Sequence, residues 1–240
     1  MKPVAVIQHS AFAEPGHVAA YFEKQGIPWR HYRTDLGDSV PLSAADYSGL
    51  CLLGGAMSVN DPLAWIADEI KLIRQADSLD IPVIGHCFGS QLLARAFDAG
   101  VHRNPVKEIG WGWLDAATSA TAREWLGSGG TTLRSFQWHG DTFELPACGE
   151  LILSGSYCAN QAYVIRGLHM GMQPHLEMTP ELVRKCAQKG ALEIANEIAR
   201  NGVGATQLAD AMLVDLDSRT AEINQTMDKI YDRWVMGLKY

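Results

Sequence analysis

The sequence predicts an α/β domain built on an open, mostly parallel, twisted sheet with helices on both faces. Short runs rich in β-branched and other apolar residues, at 4–7, 49–53 and 81–84, are typical of buried strands. Segments with helical spacing of apolar residues alternate with them. This alternation indicates βαβ units, whose crossover helices cover both faces of a parallel sheet. Binding sites in such sheets lie beyond the carboxyl ends of the strands, so we expect the chemistry at that edge.

The elements before residue 100 follow from these patterns in chain order. Leu63, Ile66, Ile70 and Ile73 recur at helical spacing and make the longest predicted helix of this region amphipathic. The predicted order is a strand at 4–7, a helix at 17–24, strands at 27–32 and 49–53, a helix at 63–80, a strand at 81–84 and a helix at 92–97.

The second half of the chain has a different pattern. Residues 106–172 indicate short strands and turns, and the segment from Pro180 onward is predicted to be helical. The last part carries an apolar stripe near helical spacing, which favours packing on the main domain; a homodimer or partner surface is the alternative. The stripe consists of Leu208, Met212, Leu216, Ile223, Met227, Ile230 and Trp234.

The composition limits the possible functions. The chain has 240 residues, 47% of them hydrophobic and 20% charged, which is typical of a globular protein. A net charge of −7 without a Lys/Arg cluster argues against a nucleic-acid surface. Residues 1–3 lead directly into the first strand, and no apolar run reaches membrane-spanning length, so we expect neither a signal peptide nor a membrane span. Five cysteines without CxxC spacing predict a reducing, cytoplasmic environment.

Cys87 is the first candidate for catalysis. It lies between Gly85 and Gly89, directly after the strand at 81–84 and before a helix. A sharp strand-to-helix turn leaves little room for Cβ atoms, and a thiol there sits at a helix N-terminus that favours thiolate. The same arrangement with serine is the nucleophile turn of α/β hydrolases. The alternative, a small buried hydrophobe, suits Cys51 and Cys186 better.

A nucleophilic thiol needs a base, an orienting group and donors for an oxyanion. His175 follows a strand-like run at the expected edge, and Glu177, two positions on, points to the same side of an extended segment. The backbone N–H of Phe88 is one natural oxyanion donor. The loop at Gly54 and Gly55 offers a second, although a glycine pair alone also fits a plain turn.

These motifs together carry a family resemblance. The pattern Gly85-x-Cys87-x-Gly89-x-Gln91, with Gln173-x-His175-x-Glu177 downstream and Gly54 and Gly55 upstream, resembles class I glutamine amidotransferases over about residues 1–180. It is most similar to the stand-alone members related to the amidotransferase domain of GMP synthase. The resemblance implies a flavodoxin-like catalytic domain at 1–180 and a C-terminal helical extension at 181–240, which packs on that domain or forms an interface.

The resemblance also implies residue roles. Cys87 would attack the γ-carboxamide of glutamine, His175 would act as base and Glu177 would orient it. Gly55 and Phe88 would supply the oxyanion donors. The candidate substrate-binding residues are Gly54, Gln91 and His139, the last within the family-like segment 138–141.

The chain departs from the family at two points. Pro174 precedes His175 and Leu176 follows it, where the family has phenylalanine and proline, so the path of this loop is expected to differ. We expect no synthase domain in the chain, since about 60 residues remain after the resemblance ends.

We therefore expect glutamine amide hydrolysis through a cysteinyl γ-glutamyl thioester, with ammonia passed to an acceptor on a separate synthase-type protein. No metal or other cofactor is expected. One alternative is a γ-glutamyl peptidase that acts on γ-glutamyl conjugates through the same thioester. The other is a non-catalytic regulatory or scaffold protein that binds through its C-terminal helix.

Overall fold

A single mixed sheet forms the centre of the protein. The structure is a computed structural model that describes residues 1–128 and 130–239, and over these ranges nine strands pair in the order β2-β1-β3-β4-β9-β8-β7-β5-β6. The strands are β1 (Val4–Gln8), β2 (Trp29–Arg33), β3 (Gly49–Leu52), β4 (Val83–His86), β5 (Val101–Ala116), β6 (Thr132–Phe143), β7 (Gly149–Ser154), β8 (Ala162–Ile165) and β9 (His169–Met172).

Helices cover both faces of this sheet. They are α1 (His17–Gln25), α2 (Ala64–Ser78), α3 (Phe88–Ala96), α4 (Ala120–Leu126), α5 (Pro180–Lys189), α6 (Ala191–Asn201), α7 (Ala209–Met212) and α8 (Leu216–Val235). Two separate clusters of buried apolar side chains lie between sheet and helices. The strands between the two layers, such as β1, β3 and β4, are buried throughout, which explains their continuous apolar runs.

The parallel half of the sheet agrees with the prediction. Strands β2, β1, β3, β4 and β9 pair with one another in parallel in this order, and β9 pairs antiparallel with β8 on its other side. The pairing of β4 with β9 aligns His86 with Met172, so the segments that follow these two strands leave the sheet side by side. The predicted open α/β fold is therefore confirmed, and its carboxyl edge brings distant parts of the sequence together.

The region from 106 to 172 contains the expected short strands as β7, β8 and β9, but its first part differs. Strands β5 and β6 are 16 and 12 residues long and pair as an extended antiparallel hairpin, which joins β7 and β8 in the antiparallel half of the sheet. The sequence does not predict β5 as one long strand because Pro105 and two glycines interrupt its alternation of apolar and polar residues. The pairing register with β6 also shifts between Arg103 and Glu108.

The C-terminal helices pack on the main domain. Tyr231 and Trp234 of α8 are buried, and their rings lie against Phe22 of α1. The predicted stripe is interrupted, because Asp215 adopts a left-handed conformation before α8 and Leu208 is 58% exposed. The other six stripe residues are buried. The end of the predicted extension, residue 240, lies outside the described residues, and its division from the domain at 180 stays a prediction.

Within the described ranges, none of the helices is both long and apolar enough to cross a membrane.

Trp234 anchors α8, and its replacement tests this packing. Because its side chain is 1% exposed, Trp234→Ala should lower the free energy of unfolding by about 3–5 kcal/mol. Met236→Ala is the matched control, since Met236 is 77% exposed and should lose little. Urea unfolding followed by circular dichroism measures both; equal losses would contradict a buried anchor at Trp234.

Candidate active site

Cys87 occupies the corner between β4 and α3. It caps α3 with φ 49° and ψ −109°, a conformation that non-glycine residues rarely adopt. Its N–H donates to the carbonyl of Met172 at 2.7 Å, which ties the corner to the end of β9. Strained backbone of this kind clusters at functional sites because the surrounding structure holds it in place.

The two glycines beside Cys87 allow strand and helix to approach closely. A Cβ atom on Gly85 would lie 2.5 Å from the carbonyl oxygen of Gly89. A Cβ atom on Gly89 would lie 2.3 Å from the carbonyl oxygen of Leu52, in the neighbouring strand. Both distances are far shorter than real contacts, so any side chain here would force the corner open. The expected reason for these glycines, close packing, is confirmed.

The corner opens into a cleft of about 330 Å³ at the carboxyl edge of the sheet. Seven of the eight residues singled out from the sequence line this one cleft: Gly54, Gly55, Cys87, Phe88, Gln91, His139 and His175. The eighth, Glu177, lies behind His175 and is 3% exposed. The structure thus brings all eight together, although they come from segments more than 100 residues apart.

His175 and Glu177 form a buried pair. Nδ1 of the His175 ring lies 2.7 Å from Oε1 of Glu177, and the backbone N–H of His175 donates to the backbone carbonyl of Phe136. Burial works against a charged imidazole, but the negative charges of Glu177 and Cys87 outweigh it and raise the pKa of His175 well above its usual value. The loop containing Pro174 therefore still presents His175 to the cleft.

A second imidazole, from His86, holds the other oxygen of Glu177. Nδ1 of His86 lies 3.1 Å from Oε2, and the His86 side chain is fully buried. Burial favours a neutral carboxyl group, yet the charge of His175 and the hydrogen bonds from His175 and His86 lower the pKa of Glu177 well below its usual range. His86 is not predicted by the sequence patterns. Its only signal is a polar residue that closely follows an apolar run.

Polar groups also surround the sulfur of Cys87. Nε2 of Gln173 donates to Sγ at 3.4 Å, and the carbonyl of Trp138 lies 3.8 Å from it. Nε2 of Gln91 donates to Oε1 of Gln173 at 3.0 Å and to the carbonyl of Asp141 at 3.3 Å. Gln173 belongs to the motif that includes His175, but its contact with the sulfur was not anticipated.

His139 lines the cleft but is occupied by protein partners. Its Nδ1 faces the carbonyl of Asp141 at 2.9 Å and must donate, while Nε2 lies 3.0 Å from Oε2 of Glu108. Neither nitrogen is free to act as a base. Cys158 lies close enough for these side chains to hold a metal ion, but its sulfur contacts Thr142. We interpret the group as a hydrogen-bonded cluster.

Cys51, Cys158 and Cys186 are buried, as Cys87 is, and Cys186 also lines the cleft. Burial raises the pKa of each of these three thiols. Thiols of this kind are poor nucleophiles because the thiolate is scarce. Cys148 is exposed.

The C-terminal helices supply part of the cleft wall. Gly190, between α5 and α6, lies so close to the ring of Trp138 that a Cβ there would be 2.3 Å away. Glu193 of α6 accepts from Nε1 of Trp138 at 3.0 Å and pairs with Lys107 of β5. The wall therefore extends past the domain boundary expected at residue 180.

Comparisons with known proteins agree with this geometry. A model of the family described as glutamine amidotransferase class-I matches residues 17–188. The glutamine amidotransferase-like protein YfeJ of Salmonella typhimurium is 27% identical over 198 residues, which are 80% of this chain and 83% of that protein. A solved structure, the glutamine amido transferase from Methylobacillus flagellatus, is 40% identical with a TM-score of 0.95, covering 100% of this chain and 96% of that one.

The similarity to GMP synthase is also confirmed. The glutamine-hydrolysing GMP synthase of Azoarcus sp. is 30% identical over 139 residues, which cover 55% of this chain but only 26% of that longer protein. Since the family match extends over more than half of the chain, this protein belongs to the class I glutamine amidotransferase family.

Proposed function

We propose that this protein hydrolyses the γ-amide of glutamine through a thioester on Cys87. One observation carries the proposal: a strained cysteine at a strand-to-helix corner shares a cleft with His175, whose ring is held by the buried carboxylate of Glu177. This is the constellation that nucleophilic catalysis requires, namely a nucleophile, a base and an orienting group.

The proposed reaction has two halves. The thiolate of Cys87 attacks the amide carbon, and the carbonyl oxygen becomes an oxyanion that the N–H groups of Phe88 and Gly55 would stabilise. The C–N bond then breaks as the imidazolium of His175 gives its proton to the departing ammonia. In the second half His175 takes a proton from water, the hydroxide attacks the thioester, and glutamate leaves as the C–S bond breaks and the thiolate of Cys87 is restored beside the imidazolium. Glu177 keeps Nδ1 of His175 protonated and stabilises the imidazolium.

The other residues of the cleft are proposed to bind substrate. Gly54 and Gln91 would contact the amino-acid part of glutamine. His139 would act indirectly, since both of its ring nitrogens already have protein partners and its hydrogen bonds hold the segment up to Asp141 at the cleft.

We further propose that the ammonia serves an acceptor on a separate, synthase-type protein in the cytoplasm. Gly55 and Phe88 are in close contact, since a Cβ on Gly55 would lie 3.0 Å from the ring of Phe88. A partner docking near Gly55 would therefore be able to adjust both oxyanion donors.

A second candidate substrate class is the γ-glutamyl conjugate with an amine leaving group. The supporting observation is the shape of the cleft: it continues past Lys107 and Lys189 into an open groove along α6. Ammonia leaves no group to occupy that groove, whereas the second residue of a γ-glutamyl peptide would extend into it, with its carboxylate near these two lysines.

The first prediction concerns the nucleophile. A diazoketone analogue of glutamine should add the mass of one covalent label to the wild-type protein and none to Cys87→Ala, because Cys87 is the proposed nucleophile. Cys186 also lines the cleft, but burial raises the pKa of its thiol and should keep it unlabelled. Cys148→Ala is the control and should label fully, since it removes an exposed cysteine outside the cleft. Intact-mass and peptide mass spectrometry measure the result. A label on another residue would contradict the assignment of Cys87, and no label with the fold intact would favour the non-catalytic alternative.

The second prediction concerns the base and its carboxylate. His175→Ala should reduce kcat/KM by roughly 10³-fold or more, because the thiol loses its proton acceptor. Glu177→Gln should cost less, but it removes the charge that keeps the pKa of His175 high. The imidazolium should then lose its proton at lower pH, so the alkaline limb of the pH–rate profile should shift to lower pH. An unchanged profile in Glu177→Gln would remove Glu177 from this role.

The third prediction separates the substrate classes. The amidotransferase proposal expects slow ammonia release from glutamine by the isolated protein and little amine release from γ-glutamylglycine. The conjugate alternative expects rapid amine release from the dipeptide and little ammonia release from glutamine. Lys189→Ala should then raise KM for the dipeptide but not for glutamine. Lys24→Ala, in the last turn of α1, is the charge-matched control. Rapid dipeptide cleavage with little glutaminase activity would replace the leading proposal with the alternative.

A further inference from the structure

A chain of buried hydrogen bonds connects Glu177 to the C-terminal helix. Oε2 of Glu177 lies 3.1 Å from Nδ1 of His86, and Nε2 of His86 lies 3.4 Å from the hydroxyl of Tyr231 in α8. The side chains of His86 and Tyr231 are fully buried, so water does not compete for these contacts. The three residues come from strand β4, the loop after β9 and α8, which are separated by up to 145 positions in sequence.

The direction of each hydrogen bond follows from the chemistry of the groups. An ionised carboxylate only accepts, so Nδ1 of His86 must carry a proton toward Glu177. A neutral His86 then has a lone pair on Nε2, and the hydroxyl of Tyr231 donates to it. Burial raises the pKa of Tyr231 well above its usual value, and the negative charge of Glu177 acts in the same direction, so the hydroxyl keeps its proton. Every donor and acceptor is matched without an extra charge.

We propose that His86 and Tyr231 are positioning residues for the carboxylate of Glu177, so that α8 belongs to the catalytic apparatus. The inference rests on the proposed roles of Cys87, His175 and Glu177. Tyr231 selects the tautomer of His86 that donates to Oε2. That contact fixes the carboxylate plane, and Oε1 is thereby aimed at Nδ1 of His175.

The hydrogen-bonding side chains next to this series of buried hydrogen bonds have partners outside the series. His17 of α1 stacks near Tyr231, and its Nε2 pairs with Asp228 of α8 at 2.6 Å. Tyr21 lies against Tyr231 at 5.0 Å between ring centres and donates to Asp232. Cys51 is a buried thiol on the adjacent β3. Neither His17 nor Tyr21 has its hydrogen bond directed to His86, so the hydroxyl of Tyr231 is the group that sets its tautomer.

The experiment measures the rate at which iodoacetamide alkylates Cys87, followed by peptide mass spectrometry at several pH values. His86→Asn and His86→Leu have the same shape, but only asparagine keeps an N–H donor near the position of Nδ1. We expect His86→Leu to slow alkylation about tenfold, in line with the loss of one hydrogen bond to a charged group, and His86→Asn to stay within about twofold of wild type. A packing role alone would make the two variants equal.

Tyr231→Phe provides a second test in a variant that retains the ring. It should slow alkylation about threefold, and it should have no further effect in the His86→Leu background, because the hydroxyl acts only through His86. Tyr21→Phe is the matched control: it removes another largely buried hydroxyl that contacts α8 and should leave the rate unchanged.

The outcomes separate this inference from the proposed function. If wild-type Cys87 reacts no faster than exposed Cys148, the proposed nucleophile itself is wrong. If Cys87 reacts rapidly but Tyr231→Phe matches Tyr21→Phe, or His86→Asn is as slow as His86→Leu, the positioning role is wrong while the nucleophile stands. If His86→Leu does not fold, the comparison of Tyr231→Phe with Tyr21→Phe still decides the question.

Discussion

The buried carboxylate of Glu177 is the interaction on which the rest of the site depends. An ion this far from water costs several kcal/mol unless its partners are well placed, and removal of a partner is strongly destabilising. Here both oxygens are satisfied by imidazole N–H groups, from His175 and His86. Because the two imidazoles belong to different elements, the carboxylate requires β4 and the loop after β9 to be held together. The sheet supplies that constraint through the parallel pairing of β4 with β9.

The same pairing fixes the sulfur of Cys87 relative to His175. The N–H of Cys87 bonds to Met172, the last residue of β9, so the corner and the histidine loop start from adjacent points. Gly85 and Gly89 let α3 approach the sheet at van der Waals distance, and the left-handed conformation of Cys87 turns its side chain into the cleft. Backbone strain at one residue is thus maintained by hydrogen bonds and packing on either side, which is the usual arrangement for a preorganised nucleophile.

Much of this arrangement is predictable from the sequence, because it rests on local patterns. Apolar runs identified the parallel strands, and glycines beside a cysteine identified the corner. The long β5–β6 hairpin was not recognised, since Pro105 and a register shift break its alternation. His86 and Gln173 were assigned no role because their partners lie 91 and 86 positions away, and no local pattern records such a contact. The cleft wall from Gly190 and Glu193 was missed for the same reason.

The account as a whole depends on a covalent bond between Cys87 and the γ-carbonyl carbon of substrate. The most direct test mixes the protein with glutamine, quenches it in acid within milliseconds to seconds, and maps its peptides by mass spectrometry. We predict a γ-glutamyl mass on the peptide that contains Cys87, and its loss on treatment with neutral hydroxylamine, which cleaves thioesters. Ammonia release with no adduct on Cys87, or with an adduct on another residue, would contradict the account.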